Sequence, residues 1–364
     1  MRARSERIFA ALGDPVDAIV LMNGSAHSSD STFKYVSGVT RGGYEGCAAV
    51  LVPGRRPCLV VSKLEEESAG TAPDSDVHAF KTQAAQKEML ATLLGEPKRI
   101  GVNANAIVLA KVRLLEELFP DAVIVDVGDA ISQVRLVKDE TEVELVRRAC
   151  AVTSEVAAEI PAMLREGITE IELAAGIEQA IRRRGGKVAF DTIVCFGANG
   201  SQPHYSPGPV PLKKGDMILV DFGTLRDDYC SDITRMFLFG KATPEQQAMY
   251  DVVRQAQSAA LAHTTAGKPA KEVHRRVVEV IDATEFAGRF IHGTGHSIGL
   301  DVHDGGGISD ASEITLAPGM IMTVEPGVYV PGVGGVRIED TVLVTEGGPE
   351  ILTPVTKDLV EVEA

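Results

Sequence analysis

The 364-residue sequence is poor in basic charge: 36 lysines and arginines face 51 acids, for a formal net charge of −15. No basic stripe forms anywhere, which argues against a nucleic-acid partner. No apolar run approaches the roughly 18–20 residues of a membrane helix. The opening MRARSERIFAALGDP has basic residues but lacks the apolar centre of a signal peptide. Five cysteines, at 47, 58, 150, 195 and 230, form no CxxC pair. Their odd, scattered set reads as reduced thiols of a cytoplasmic protein and not as a disulfide frame. Both the GxxxxGK[ST] loop and a strand–GxGxxG–helix unit are also missing, so neither nucleotide-binding signature is present. What remains is a soluble globular balance, 45% hydrophobic and 24% charged, in a chain long enough for two domains.

The first 130 residues alternate short apolar runs with helical patterns. DAIVLMN, GCAAVLV, RPCLVVS, KRIGVN and AVIVDV read as strands, and QAAQKEMLATLLG and AIVLAKVRLLEELF as amphipathic helices. That pattern predicts an α/β domain with a mixed sheet over residues 1–133. The character changes at Lys138, near the start of a second, α+β domain spanning 134–364. There Asp139 with Glu142, Thr169 with Glu172, and Thr243-Pro244 with Gln246 each open a helix. PAKEVHRRVVEVIDA is a fourth. Strands around a turn at LRDD follow the first helix pair, and GMIMTVEPGVYV and GGVRIEDTVLVT, joined at PGVGG, follow the second.

Helix, helix, hairpin therefore occurs twice, and the copies match in letters. Leu212, Gly215, Val220, Asp221 and Gly223 map onto Leu316, Gly319, Val324, Glu325 and Gly327 at a constant offset of 104. Periodicity alone does not place an acid at the same point of both copies. We read an internal duplication with a pseudo-twofold axis, each copy aiming one carboxylate at that axis. A hairpin turning near Arg226-Asp227 is expected to bring Asp232 opposite Asp221. A turn at Gly332 is expected to bring Glu339 opposite Glu325, with Arg337 on the same face as Glu339.

Any one of these acids alone would most simply face water. Four converging carboxylates are a different matter, because Arg337 and Arg235 are the only nearby cations on the hairpins. Like charges at short range drive pKa values up, whereas two divalent cations would balance four negative charges. Oxygen-rich ligands with one imidazole suit Mn²⁺ or Co²⁺, with Zn²⁺ a third candidate. The imidazole is found in HGTGHSIGLDVHD, residues 292–304, which holds three histidines of the chain's eight. HGTGH lacks the Glu of HExxH, and its glycines oppose a helix. We read it as an extended, glycine-pinched segment delivering His296 to metal, with His292 and His303 flanking the reacting centre.

From about Lys138 onward the chain resembles the pita-bread metallopeptidases, among them aminopeptidase P, prolidase and methionine aminopeptidase. The matching stretches are PHYSPGP, DFG…DYCSDITR, HGTGHSIGLDVHD, TVEPG and GGVRIED, in the family's order. FKYVSG and VRLVKDETE are similar to the creatinase-like N-terminal domain of proline peptidases. The resemblance implies that Asp221, Asp232, His296, Glu325 and Glu339 hold two divalent metals, with Asp232 and Glu339 bridging. It implies catalytic roles for His204, His292 and His303, a proton shuttle at Glu325, and a supporting Arg337 near the bridging Glu. A hydroxide shared by the metals would be the nucleophile. The implied substrate is a peptide with proline at position two, and the implied assembly is a homodimer.

Two readings stand within that family: an Xaa-Pro aminopeptidase acting on longer peptides, and a strict Xaa-Pro dipeptidase. Many prolidases carry an Arg between the last catalytic His and the TVEPG-type motif, where it holds the free carboxylate of a dipeptide. Here residues 303–322 contain no Arg or Lys, which favours the aminopeptidase. The length, nearer to small prolidases, points the other way. A non-catalytic peptide-binding relative would be expected to lose ligands, and all five are present.

Overall fold

The computed structural model describes residues 1–25 and 28–363. It separates into two compact units, one ending at Arg135 and one beginning at Leu136. Among the described residues no helix is long and apolar enough to cross a membrane.

The first unit is built on a six-stranded sheet. In spatial order its strands are Asp76–Phe80, Cys58–Ser62, Ala48–Leu51, Ala18–Met22, Arg99–Val102 and Val123–Asp126. Ala18–Met22 is buried along its whole length, as a central strand covered on both faces must be. It pairs antiparallel with Ala48–Leu51 and parallel with Arg99–Val102, so the sheet is mixed, as the sequence predicts. The sequence reading omits the edge strand Asp76–Phe80, a short segment in which no residue is fully buried. Helix Gln83–Leu94 starts at Thr82, whose hydroxyl accepts from the Ala85 amide at 3.2 Å.

The second unit opens with helix Glu140–Met163, and all three expected capping boxes are formed, at Asp139/Glu142, Thr169/Glu172 and Thr243/Gln246. Each box satisfies two of the orphan N–H groups at its helix start. The duplication is visible in main-chain hydrogen bonds. Gly167 N donates to Leu212 O at 3.0 Å and Gly267 N to Leu316 O at 2.8 Å. Leu212 N returns to Ile168 O and Leu316 N to Lys268 O, each at 2.8 Å. The first helix pair packs on its own hairpin, while the core around the second pair takes in strand residues of both halves, Leu219 and Met236 among them.

The hairpins differ in their turns. In the first, Asp227 and Asp228 (φ 52° and 67°) form a two-residue connection with both centres left-handed, the type I′ geometry that matches strand twist. The turn therefore sits one residue later than the sequence reading placed it. Asp221 of strand Met217–Phe222 faces Thr234 of strand Ile233–Phe239. Asp232 lies two residues along from Thr234, on the same face but diagonal to Asp221. In the second hairpin three residues, 331–333, close the loop around Gly332 at φ 80°. Strand Ile321–Val324 then pairs with Asp340–Thr345 so that Val324 faces Asp340. That register carries Glu325 opposite Glu339, as expected.

The turn Gly197–Ser201 packs on strand Gly334–Arg337 so closely that a Cβ on Gly335 would lie 2.1 Å from the Gly200 carbonyl oxygen. The Gly200 carbonyl is backbone and cannot yield cheaply, and the Tyr329 ring would lie 2.8 Å from the same Cβ. Gly335→Ala is expected to cost about 1–3 kcal/mol or more, whereas Gly347→Ala, whose Cβ would meet Thr345 Oγ1 at a comfortable 4.0 Å, should be neutral. Thermal unfolding of both variants checks this, and an unchanged Gly335→Ala midpoint would refute the tight contact.

Candidate metal centre

The hairpins converge on four carboxylates. Asp221, Asp232 and Glu339 are buried, and Glu325 nearly so. Asp221 ends an apolar run of strand that the core packs around, so its carboxylate is carried into the interior by its neighbours' burial. Ligand atoms of Asp232, His296 and Glu339 all lie within 4.8 Å of one another. His296 Nε2 is 3.4 Å from Glu325 Oε1 and 3.6 Å from Asp232 Oδ2.

Gly295 explains why so short a segment can deliver His296. A Cβ there would meet the Thr323 carbonyl oxygen at 1.9 Å, so only glycine lets this backbone lie against the strand that runs up to Glu325. Thr323 then ties the two together: its hydroxyl accepts from His296 N at 2.9 Å and lies 3.1 Å from Glu325 Oε1. Behind the segment, Lys138 is wholly buried, with Nζ 2.9 Å from Ser297 Oγ and 3.8 Å from Asp304 Oδ2.

Arg337 does not pair with Glu339, its expected partner. Its Nη2 binds Asp221, its Nε donates to Thr234 Oγ1 at 3.1 Å, and its Nη1 donates to Tyr329 OH at 2.8 Å. Thr234 in turn donates to Glu339 Oε2 at 2.7 Å, so the guanidinium reaches Glu339 through a hydroxyl. Arg235 turns away from the site, held by Asp340 Oδ1 at 2.7 Å and by the Thr353 and Val355 carbonyls. One cation therefore faces four acids.

Tyr329 is the residue that sequence reasoning missed. With its oxygen accepting from Arg337, its proton is free for His292 Nε2 at 2.8 Å, and His292 Nδ1 lies 2.7 Å from the Gly293 carbonyl. The consistent tautomer is a neutral imidazole protonated at Nδ1. Burial, then the charge of Arg337, lowers His292 to about 4, in keeping with that neutral form. Both ring nitrogens are thus engaged, and His292 can meet a substrate only by exchanging its bond to Tyr329. The signal in the sequence was weak, since GVYV reads simply as a strand.

The remaining electrostatics follow from burial among like charges. Burial, then Glu339, pushes Asp232 well above the ordinary carboxylate range, and burial, then Glu325, does the same to Glu339. Burial lifts Glu325 to about 7 against the pull of Arg337. Burial also lowers His296 and His303, whose rings sit 4.2 Å apart, so both favour the neutral form that ligates metal or accepts a proton. Burial pushes the Cys195 thiol up to about 12, so it stays protonated.

All nine candidate residues line one cleft of about 410 Å³: Asp221, Asp232, His296, Glu325, Glu339, His204, His292, His303 and Arg337. Phe190, Ile193, Pro203 and Val302 supply its apolar wall. The donor set fits a divalent cation on a specific observation. Asp221 Oδ1, Asp232 Oδ1 and Glu339 Oε1 are buried oxygens without a hydrogen-bond partner, a costly state for an acceptor, and a hard cation takes such oxygens.

Residues 144–346 match metallopeptidase family M24, and residues 3–137 match the creatinase/prolidase N-terminal domain. An Xaa-Pro dipeptidase from Pyrococcus horikoshii is 33% identical over 332 residues, which is 90% of this chain and 91% of that one. The crystal structure of an X-Pro aminopeptidase from Thermotoga maritima superimposes with a TM-score of 0.89 at 31% identity, covering 99% of this chain and 100% of that one. An Xaa-Pro dipeptidase from Bacillus anthracis gives 0.91 at 27% identity, covering 99% of both chains.

Because burial and mutual repulsion raise Asp232, Glu339 and Glu325, cation binding at these carboxyls should release protons. Calorimetry of Mn²⁺ binding in buffers of different ionisation enthalpy measures the number. Glu325 also sets the sign of the pH dependence. Its folded value, about 7, lies above the ordinary 4.5, so the stability it contributes is complete below 4.5 and is lost as pH rises through 7. In the cation-free protein, Glu325→Gln should therefore raise the melting temperature more at pH 8 than at pH 6.5. A smaller effect at pH 8, or cation uptake without proton release, would contradict the assignment.

Proposed function

We propose that this chain, which belongs to metallopeptidase family M24, hydrolyses the bond between an N-terminal residue and a penultimate proline, using two divalent cations. The observation that carries the reading is the convergence of five ligand-type side chains, three of them with partnerless buried oxygens, in a cleft that also holds three further histidines. Four carboxylates against one guanidinium leave three negative charges, more than a single divalent ion balances. In this reading Asp232 and Glu339 would serve both cations, Asp221 would complete one, and His296 with Glu325 would complete the other. Mn²⁺ or Co²⁺ suits the set, with Zn²⁺ a third candidate.

When bound, the cations supply a water of lowered pKa and a Lewis acid for the scissile carbonyl. The protein's own groups do the rest. Glu325, whose Oε1 lies 3.4 Å from His296 Nε2, would take a proton and return it to the departing proline nitrogen. His303, beside His296, and His204, on the exposed rim of the cleft, lie where they can contact the peptide. Tyr329 and Arg337 hold His292 neutral until substrate competes for Nε2. Five unbridged cysteines support a reducing, cytoplasmic setting, and a homodimer is proposed from family resemblance.

On substrate length, Arg337 is the one Lys or Arg among the described residues lining the cleft, and it is already committed to Asp221, Thr234 and Tyr329. A dipeptide's free carboxylate would gain about 1.5–3 kcal/mol from a charged partner, and none is offered here. We therefore favour the aminopeptidase reading. The second reading, a strict dipeptidase, draws support from the relative named Xaa-Pro dipeptidase that spans nearly the whole chain.

Two experiments test the proposal. Asp232→Ala or Glu339→Ala should abolish turnover with loss of bound cation, as should His296→Ala. His303→Ala should lower kcat and keep its cations. A His303 variant poorer in metal than the His296 variant would overturn this division of roles. Comparing kcat/KM for an Xaa-Pro dipeptide with the same sequence extended by one residue tests length preference. The tripeptide should be cut at least as well, and a preference of about tenfold for the dipeptide, the worth of ~1.4 kcal/mol, would favour the dipeptidase.

A further inference from the structure

The two halves of the second unit differ where their second helices begin. In one half that position is Ala270, fully buried, its amide 2.8 Å from the Ile314 carbonyl. In the other it is Glu170, equally buried, its amide 3.2 Å from the Val210 carbonyl. The duplicated scaffold is therefore satisfied by a methyl group at this position. A carboxylate buried there instead carries a desolvation cost that needs compensation. Helix capping does not require it either, since Thr169 and Glu172 close the capping box themselves.

Compensation comes from four donors. Oε1 accepts from Phe196 N at 2.8 Å and Asn199 Nδ2 at 2.9 Å, and Oε2 accepts from Tyr205 OH at 2.9 Å and Gly208 N at 3.0 Å. Asn199 also donates to Tyr205 OH at 2.9 Å. Three of the four donors belong to the segment 199–208, which contains His204, the rim histidine of the cleft.

We propose that Glu170 is a positioning residue: a buried carboxylate that clamps the segment 199–208 and so holds His204 against the metal-binding cleft. The inference rests on the role proposed above for His204. Glutamine has the same shape but offers one acceptor oxygen in place of two. Facing four donors, it must leave at least one unpaired, so Glu170→Gln removes the clamp and keeps the volume. Tyr205→Phe removes a single donor and perturbs folding less.

The test is a kinetic double-mutant cycle of Glu170→Gln against His204→Ala on an Xaa-Pro peptide, with cation content and amide exchange measured for each variant. Glu170→Gln should lower kcat by about tenfold, the worth of one charge-assisted hydrogen bond, with KM changed far less and cation content unaltered. In the His204→Ala background it should have little further effect, while amides of 199–208 exchange faster in both backgrounds. Tyr205→Phe should repeat the pattern at smaller amplitude, and it carries the cycle alone if Glu170→Gln does not fold. Additive losses beside a damaging His204→Ala would overturn the inference and leave the proposed function standing. A harmless His204→Ala would overturn the role of His204, and the positioning inference with it. If no Xaa-Pro peptide is cleaved, the proposed function fails, and exchange decides the clamp: faster exchange in 199–208 sustains it and unchanged exchange overturns it.

Discussion

Four carboxylates held close together with a single guanidinium are the constraint on which the second unit is built. An ionised acid buried without a partner is costly, and here Asp232, Glu339 and Asp221 each keep one oxygen with none. The surrounding fold is arranged to hold that arrangement against its own repulsion. Apolar strands fix the backbone, Arg337 takes Asp221, and Thr234 passes the remaining polarity to Glu339. Burial and mutual repulsion raise Asp232, Glu325 and Glu339 accordingly.

A duplicated scaffold produces a one-of-a-kind site by departing from its own symmetry at few places. The main-chain bonds at Gly167 and Gly267 repeat almost unchanged. Asp221 and Glu325 also occupy equivalent strand positions, yet one is bound by Arg337 and the other lies beside His296. Glu170 and Ala270 diverge more sharply. Residues shared by both halves maintain the frame, and residues present in one half alone are where chemistry is to be sought.

Much of this was legible in the sequence because the signals were local. Capping boxes, apolar runs and the offset of 104 each rest on neighbouring letters. The carboxylates and His296 could be gathered because hairpin arithmetic and a glycine-rich histidine segment are both short-range patterns. Three things were not legible. The turn at Asp227-Asp228 moved the first hairpin by one residue, because aspartates tolerate the left-handed region that glycine usually marks. Arg337's choice of Asp221 over Glu339 is decided across two hairpins, and no local pattern encodes it. Tyr329 lay in a run that reads simply as strand, Lys138 marked only a change of character, Glu170 drew no reading at all, and only tertiary packing shows what they hold.

The three-residue loop at 331–333 acts as a reading frame for the strand that follows. Side chains alternate between faces, so the parity of that loop decides which of Arg337, Ile338 and Glu339 look inward. The first hairpin, with its two-residue turn, sets Thr234 across from Asp221; one residue more in the second sets an acid across from Glu325. An insertion or deletion of one residue at 331–333 would thus act as a frameshift in space, turning Arg337 and Glu339 outward together and Ile338 into the cluster. A change of two residues would keep the phase. The metal-binding character of this half is in that sense written in a loop length, at a distance from every ligand it governs.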